Sequence, residues 1–299
     1  MENVAVMQKI VVLNSKGGSG KTTIATNLAA YYAARGMSVA LMDMDPQGSS
    51  MRWLKVRPRG VPQIHAIAAY EKPMGVTRAF ALRTPPGTER LIVDTPAAIP
   101  AQQMPEIVRD ASAIIVPVLP SEIDIHAASR CIADLLLVAK VHRSEKRLVI
   151  VANRARRYTK AYHSLMKFLQ SLRIPVAAVL RDSQVYVRSA ETGTGLHEMK
   201  GALLQEDLDT FRPLIEWLER RSFSLVPTED MTAADAEAEG AQIVPTIAPV
   251  ISPVTSIVGV TSIAPATATA QGPGAVPVPV VAASIRDDEA ASGSLTLFS

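Results

Sequence analysis

Cysteine is the scarcest residue of the chain: Cys131 alone among 299 residues. One thiol excludes a disulfide framework and fits a reducing compartment. Cys131 falls in a helical pattern and reads as core packing. His126 has no second His or Cys at metal-ligand spacing and reads as a surface or helix-start residue. A secretory signal is also missing from the expectation, because "MENVAVMQK" is short and charged before the first apolar strand begins. Charge is absent from residues 240–285, yet no membrane span is expected there. Pro245, Pro249, Pro253, Pro265, Pro273, Pro277 and Pro279 would break any helix of about 20 residues, and Thr and Ser are frequent. This stretch reads as an extended Pro/Ala-rich tail, disordered and linker-like, beginning near residue 227. Length suits one core domain, 1–226, with the tail 227–299 as an appendage.

The informative stretch is "NSKGGSGKTT", Asn14 to Thr23. It nearly matches the phosphate-loop pattern G-x-x-x-x-G-K-[ST], but Ser15 stands where the first glycine belongs and Lys16 is an additional lysine. An apolar, β-branched run (Lys9 to Asn14) precedes it. Ile24, Leu28, Ala29 and Tyr32 follow at helical spacing until Gly36, which predicts strand, turn and helix in that order. Gly17, Gly18, Ser19 and Gly20 would turn backbone N–H groups toward phosphate oxygens at the helix start. Lys21 supplies a point charge, and the Thr22 hydroxyl, followed by Thr23, is placed to hold Mg²⁺.

Two further apolar strands end in carboxylates: "VALMDMDPQG" in Asp43 and Asp45, and "RLIVDTPAA" in Asp94. Open α/β sheets place their ligand crevice at such strand ends. A strand-end Asp is also an ordinary turn or cap residue. Strands are expected at 9–14, 38–43, 61–67, 90–94, 112–118, 147–152 and 175–180. Helices are expected at 21–35, 73–82, 102–109, 124–141, 159–172 and 207–221. The alternation predicts an α/β fold, a mostly parallel twisted sheet with helices on both faces. "DTFRPLIEWLERRSFSLV" is amphipathic and reads as the last packing helix of the core, with a membrane helix as the other reading.

The loop with its second lysine, the Asp43-x-Asp45-Pro-Gln-Gly stretch and the Asp94-Thr-Pro stretch together resemble the ParA/MinD family of positioning ATPases, over residues 8 to 222. The form reads as the short one, with no N-terminal helix-turn-helix domain expected. The resemblance implies ATP and Mg²⁺ as cofactors. It also implies an ATP-sandwich homodimer in which Lys16 reaches the partner's phosphates. Lys21 and Asp45 would act in catalysis, with Asp45 orienting the hydrolytic water. Thr22, Asp43 and Asp94 would act on the metal and its waters. Asn153, at the end of a strand, would touch the adenine, although Asn there is also a common turn residue. The nitrogenase iron protein and iron–sulfur carrier ATPases share such a loop but need cysteines this chain does not have.

Residues 143–188 hold eleven Lys and Arg against Glu145 and Asp182, while the whole chain is only +3. Such clustering is either a solvated basic face or the footprint of phosphate-backbone binding. In the resembled family, basic residues here bind nucleoid DNA without sequence preference, and Arg181 and Arg188 are the candidates. A cargo-associated activating protein, cytoplasmic and nucleoid-associated placement and no stable membrane anchor complete what the resemblance implies. The cargo would be a plasmid or chromosome locus, or a protein assembly such as a carboxysome or chemoreceptor cluster. A MinD-like membrane-cycling ATPase is the alternative, although the chain's end, "DDEAASGSLTLFS", is acidic and small. A tyrosine-kinase relative would carry a tyrosine-rich tail, and this tail has no Tyr.

Overall fold

The computed structural model describes residues 7–71, 82–201 and 204–223. The helix expected at 73–82 lies, but for its last residue, outside the described residues, as do the boundary at 226 and the tail. The described strands are β1 Gln8–Val12, β2 Val39–Asp43, β3 His65–Ala68, β4 Arg90–Asp94, β5 Ala113–Val118, β6 Leu148–Ala155 and β7 Val176–Arg181. They form one seven-stranded sheet in the order β3-β2-β4-β1-β5-β6-β7. Every neighbouring pair is parallel. The described helices are α1 Lys21–Ala34, α2 Ser49–Lys55, α3 Met104–Val108, α4 Glu122–Leu137, α5 Lys160–Ser171, α6 Gln184–Thr192 and α7 Gln205–Phe223.

Period-2 alternation divides the central strands between two cores. Ile10, Val12 and Ile92 face one side, with Leu28 of α1, Trp53 of α2 and Phe211 and Leu214 of α7. Val11, Leu13 and Val93 face the other, with Met104 of α3, Cys131 of α4 and Leu165 of α5. Strands buried on both faces read as continuous apolar runs, which is why β1 and β4 are so plain in the sequence. Removing one such side chain, as in Leu28→Ala, costs about 2–5 kcal/mol. Phe211, Leu214, Ile215 and Leu218 are all buried, so the amphipathic face of α7 packs on the core.

Register places the chemistry. Asp94 pairs with Val12 across β4–β1 and with Asp43 across β4–β2. The chain runs outward from β1 to β2 on one side and from β4 to β5 on the other, so the carboxyl end of β1 is the switch point where a crevice opens. Three details depart from the expectations. β3 is confined to 65–68 because its ladder with β2 begins at His65↔Ala40, beyond Pro62, which has no N–H to donate. β6 continues through Asn153 to Ala155, with a register shift between Ala152 and Ala155 and Arg154 at φ 50°. Helices α2 and α6 were not expected at all.

Candidate functional site

The loop after β1 is tied before it turns. The Asn14 side chain donates to the Pro117 carbonyl at 2.6 Å and accepts from Lys16 N–H at 3.0 Å. Ala98 N–H donates to the Ser15 carbonyl at 2.9 Å, joining the loop to the segment after β4. Gly20 then adopts φ 96°, and a Cβ built there would lie 2.0 Å from the Asn153 side-chain nitrogen. A larger residue there would have to displace the Asn153 side chain and take up a strained backbone. Asn153 Nδ2 donates to the Ser19 carbonyl at 2.8 Å, so β6 clamps the loop from the far side.

Three other helix starts are closed by their own side chains, whereas those of α2 and α3 have no side-chain cap. Ser121, Thr159 and Ser183 each accept a backbone N–H at the start of α4, α5 and α6. The start of α1 has no side-chain cap, which leaves its first N–H groups for an anion. Lys21 lies beneath it, buried, with Nζ 3.2 Å from the Lys16 carbonyl. Burial pulls the Lys21 pKa below the usual lysine range, against the opposing pull of Asp94 and Asp45.

Thr22 Oγ1 and Ser50 Oγ both donate to Asp94 Oδ2, each at 2.8 Å. Asp94 Oδ1 is buried with no partner among the described residues, as is the Ser19 hydroxyl. Burial pushes the Asp94 carboxyl up to about 6, against the two hydroxyls that favour its charged form. Asp43 is fully buried and faces its own loop, accepting from Asp45 N–H at 3.0 Å and Met51 N–H at 3.1 Å. Burial raises its pKa too, opposed by those N–H groups. Asp45, half-buried, fixes the turn by accepting from Gln47 N–H at 2.9 Å.

A cavity of about 600 Å³ opens over this loop, within the size range of small-molecule sites. Of the expected residues, Gly17, Gly18, Gly20, Lys21, Thr22, Thr23, Asp45, Asn153 and Arg181 line it. Lys16, Ser19, Asp43, Asp94 and Arg188 do not. Asp94 stands behind Thr22, and Arg188 is exposed on α6. Arg181 is held by Asp207, with Nε–Oδ1 2.8 Å, and by Glu206. Gln47 and Ser49 before and on α2, and Asp182, Gln184 and Tyr186 around the start of α6, also line the cavity. Sequence reasoning missed them along with their helix. The signals for α6 were its N-cap Ser183 and its left-handed Gly193.

An uncapped helix start, an unpartnered carboxylate oxygen beside a threonine hydroxyl, and a buried lysine suit a phosphate chain with a divalent cation. This is a phosphate-loop nucleotide-binding protein on a doubly wound parallel sheet. Residues 10–196 match the CobQ/CobB/MinD/ParA nucleotide binding domain, and the chain belongs to that family, whose members are ATPases at the family level. It is 29% identical over 218 residues to the maintenance of carboxysome distribution protein A of Gloeobacter kilaueensis, covering 71% of this chain and 94% of that protein. Among solved structures, the McdA–ATP complex of Cyanothece superposes with TM-score 0.55 at 16% identity, over 73% of this chain and 96% of that one. The MinD cell division protein of Aquifex aeolicus gives TM-score 0.53 at 18% identity, over 70% and 97%. Among the described residues no helix is long and apolar enough to cross a membrane.

Proposed function

We propose that this chain is a positioning ATPase of the partition type. It binds ATP with Mg²⁺, closes into a sandwich dimer, holds DNA without sequence preference, and is released when a cargo-borne partner stimulates hydrolysis. The observation that carries this reading is the division of labour between two lysines. Lys21 is buried under its own cavity, whereas Lys16 gives the loop its carbonyl and keeps its side chain out of that cavity. A lysine so placed is available to a second subunit. The loop N–H groups and Lys21 would hold the phosphates, and Thr22 and Asp94 would hold the metal, whose charge offsets that of the phosphates. Asp45, on the cavity wall, would orient water. The likeness to a carboxysome-distribution protein over nearly its whole length adds weight to a protein assembly as cargo.

Arg188 is the DNA contact to test, because Arg181 is already engaged by Asp207 and Glu206. Each neutralised phosphate contributes a salt exponent of about −0.9, so a dimer with roughly three contacts per subunit weakens well over tenfold between about 50 and 200 mM salt. The experiment is a DNA mobility-shift assay with and without ATP, beside liposome co-sedimentation. Parent protein shifts DNA only with ATP, Arg188→Glu weakens the shift, and Asp45→Ala accumulates an ATP-bound dimer on size exclusion. ATP-dependent liposome binding without any DNA shift would replace this reading with the membrane-cycling one.

A further inference from the structure

We infer that Ser50 is a positioning residue that braces Asp94 against the Asp45 loop and thereby sets how strongly magnesium reinforces nucleotide binding. The inference rests on the ATP·Mg²⁺ reading above. Ser50 is the second residue of α2 and is fully buried. Its hydroxyl donates to Asp94 Oδ2, the same oxygen that accepts from Thr22 Oγ1. Two hydroxyls from two helices therefore occupy Oδ2, and Oδ1 is the atom left buried and unpartnered. A carboxylate gripped at one oxygen from both sides cannot swing, so its other oxygen keeps one orientation.

The brace also joins two segments that must move together. Residues 43–51 form a loop closed at both ends on Asp43, through Asp45 N–H and Met51 N–H. Asp45 lies inside that loop, and its carbonyl accepts from Gly48 N–H at 2.8 Å. Ser50 carries the side-chain bond from this loop to β4. The Asp45 carboxylate and the Asp94 carboxylate thus share one rigid frame, the kind of outer support that orients a metal's ligands. A buried serine satisfied only for packing would predict a loss of stability and no selective effect of the metal.

The test uses the full chain and a fluorescent methylanthraniloyl-ATP, titrated in EDTA and across magnesium concentrations. In the Ser50→Ala variant the EDTA affinity should match the parent. The magnesium concentration giving half-maximal tightening should rise about tenfold, as outer-shell substitutions typically do. Ser50→Thr, which keeps the hydroxyl, should return it toward the parent value. Unchanged magnesium dependence in Ser50→Ala overturns the inference, as does an equal loss with and without the metal. Should Ser50→Ala fail to fold, Ser50→Cys, a weaker donor, is expected to show a smaller rise, and a parent-like response overturns the inference. A parent chain that binds no analogue at all sinks the nucleotide reading itself and the brace with it.

Discussion

The phosphate end of the cavity is assembled from strand ends that are neighbours in the sheet, whereas its opposite wall is assembled from β6, β7 and α6 through side chains far apart in the chain. At the phosphate end, glycines and one lysine act within ten consecutive residues, and the register of β1, β4 and β2 brings Asp94 and Asp43 alongside. On the other wall, Trp53 Nε1 donates to the Ser189 carbonyl at 2.9 Å across 136 positions of sequence. Arg57 donates to the Gly193 carbonyl at 3.0 Å and forms a buried ion pair with Glu198. Asn27 of α1 accepts from Leu196 N–H at 2.9 Å. The first region is thus a local motif carried on a sheet. The second is a set of long-range clamps that position α6, and its chemistry depends on whether those clamps hold.

The sharpest way to separate the two regions is to remove a charge from the first. Lys21→Ala should lose ATP affinity on the order of a hundredfold, since a hydrogen bond to a charged group is worth about 1.5–3 kcal/mol. Lys16→Ala should bind ATP like the parent and fail to dimerise with it. Fluorescent-ATP titration and size exclusion decide both, and a Lys16→Ala variant that dimerises normally would remove the reason for its second lysine.

Gly20→Ala attacks a place where the regions touch. The new Cβ would meet Asn153 Nδ2, and the backbone sits at φ 96°. Left-handed strain of about 1–2 kcal/mol adds to a lost hydrogen bond of about 1 kcal/mol. The melting temperature should fall by roughly 5–10 °C, at 2–4 °C per kcal/mol for a core of this size. Calorimetry that finds no change would mean Asn153 is not the clamp its contact with Ser19 suggests.

Trp53→Phe breaks the second region alone. It removes the donor to Ser189 and keeps most of the buried ring, costing about 1–2 kcal/mol. Hydrogen exchange should rise across 184–192 and stay unchanged across 21–34. Equal loosening of both helices would erase the distinction drawn between the two walls.

The smallest effect concerns pH. Burial lowers the His197 pKa below its ordinary 6.5, with Arg212 helping and Glu198 opposing. His197 packs edge-on against Tyr31 and Phe211, with ring centroids 4.7 and 6.1 Å away. A depressed histidine means the unfolded chain takes up the proton more readily. The contribution to stability is therefore complete above about pH 6.5 and is lost as pH falls below it. Between about pH 7.5 and 5.5 the parent should lose more melting temperature than His197→Gln. Equal losses would assign the acid sensitivity elsewhere.

Read from its residues alone, the chain already specified the sheet, because strands buried on two faces must be continuously apolar and their ends must carry what the crevice uses. Residues 90–94 were placed to the residue, and Lys21, Thr22 and Asp45 meet at one cavity. The glycine loop was legible for a related reason: its backbone needs conformations that few other residues adopt, so the chemistry shows in the letters themselves. What only the tertiary structure decided is which neighbours each polar group takes. Nothing in "QGSSM" says that Ser50 will reach Asp94, or that Asp43 will turn inward to its own loop while Asp45 faces the cavity. Nothing in the basic stretch says that Arg181 will be held by Asp207. Helices α2 and α6 are short, and their apolar residues are few. Long-range bonds to Ser189, Gly193 and Asp207 hold them in place, and these form only when distant segments have already been brought together.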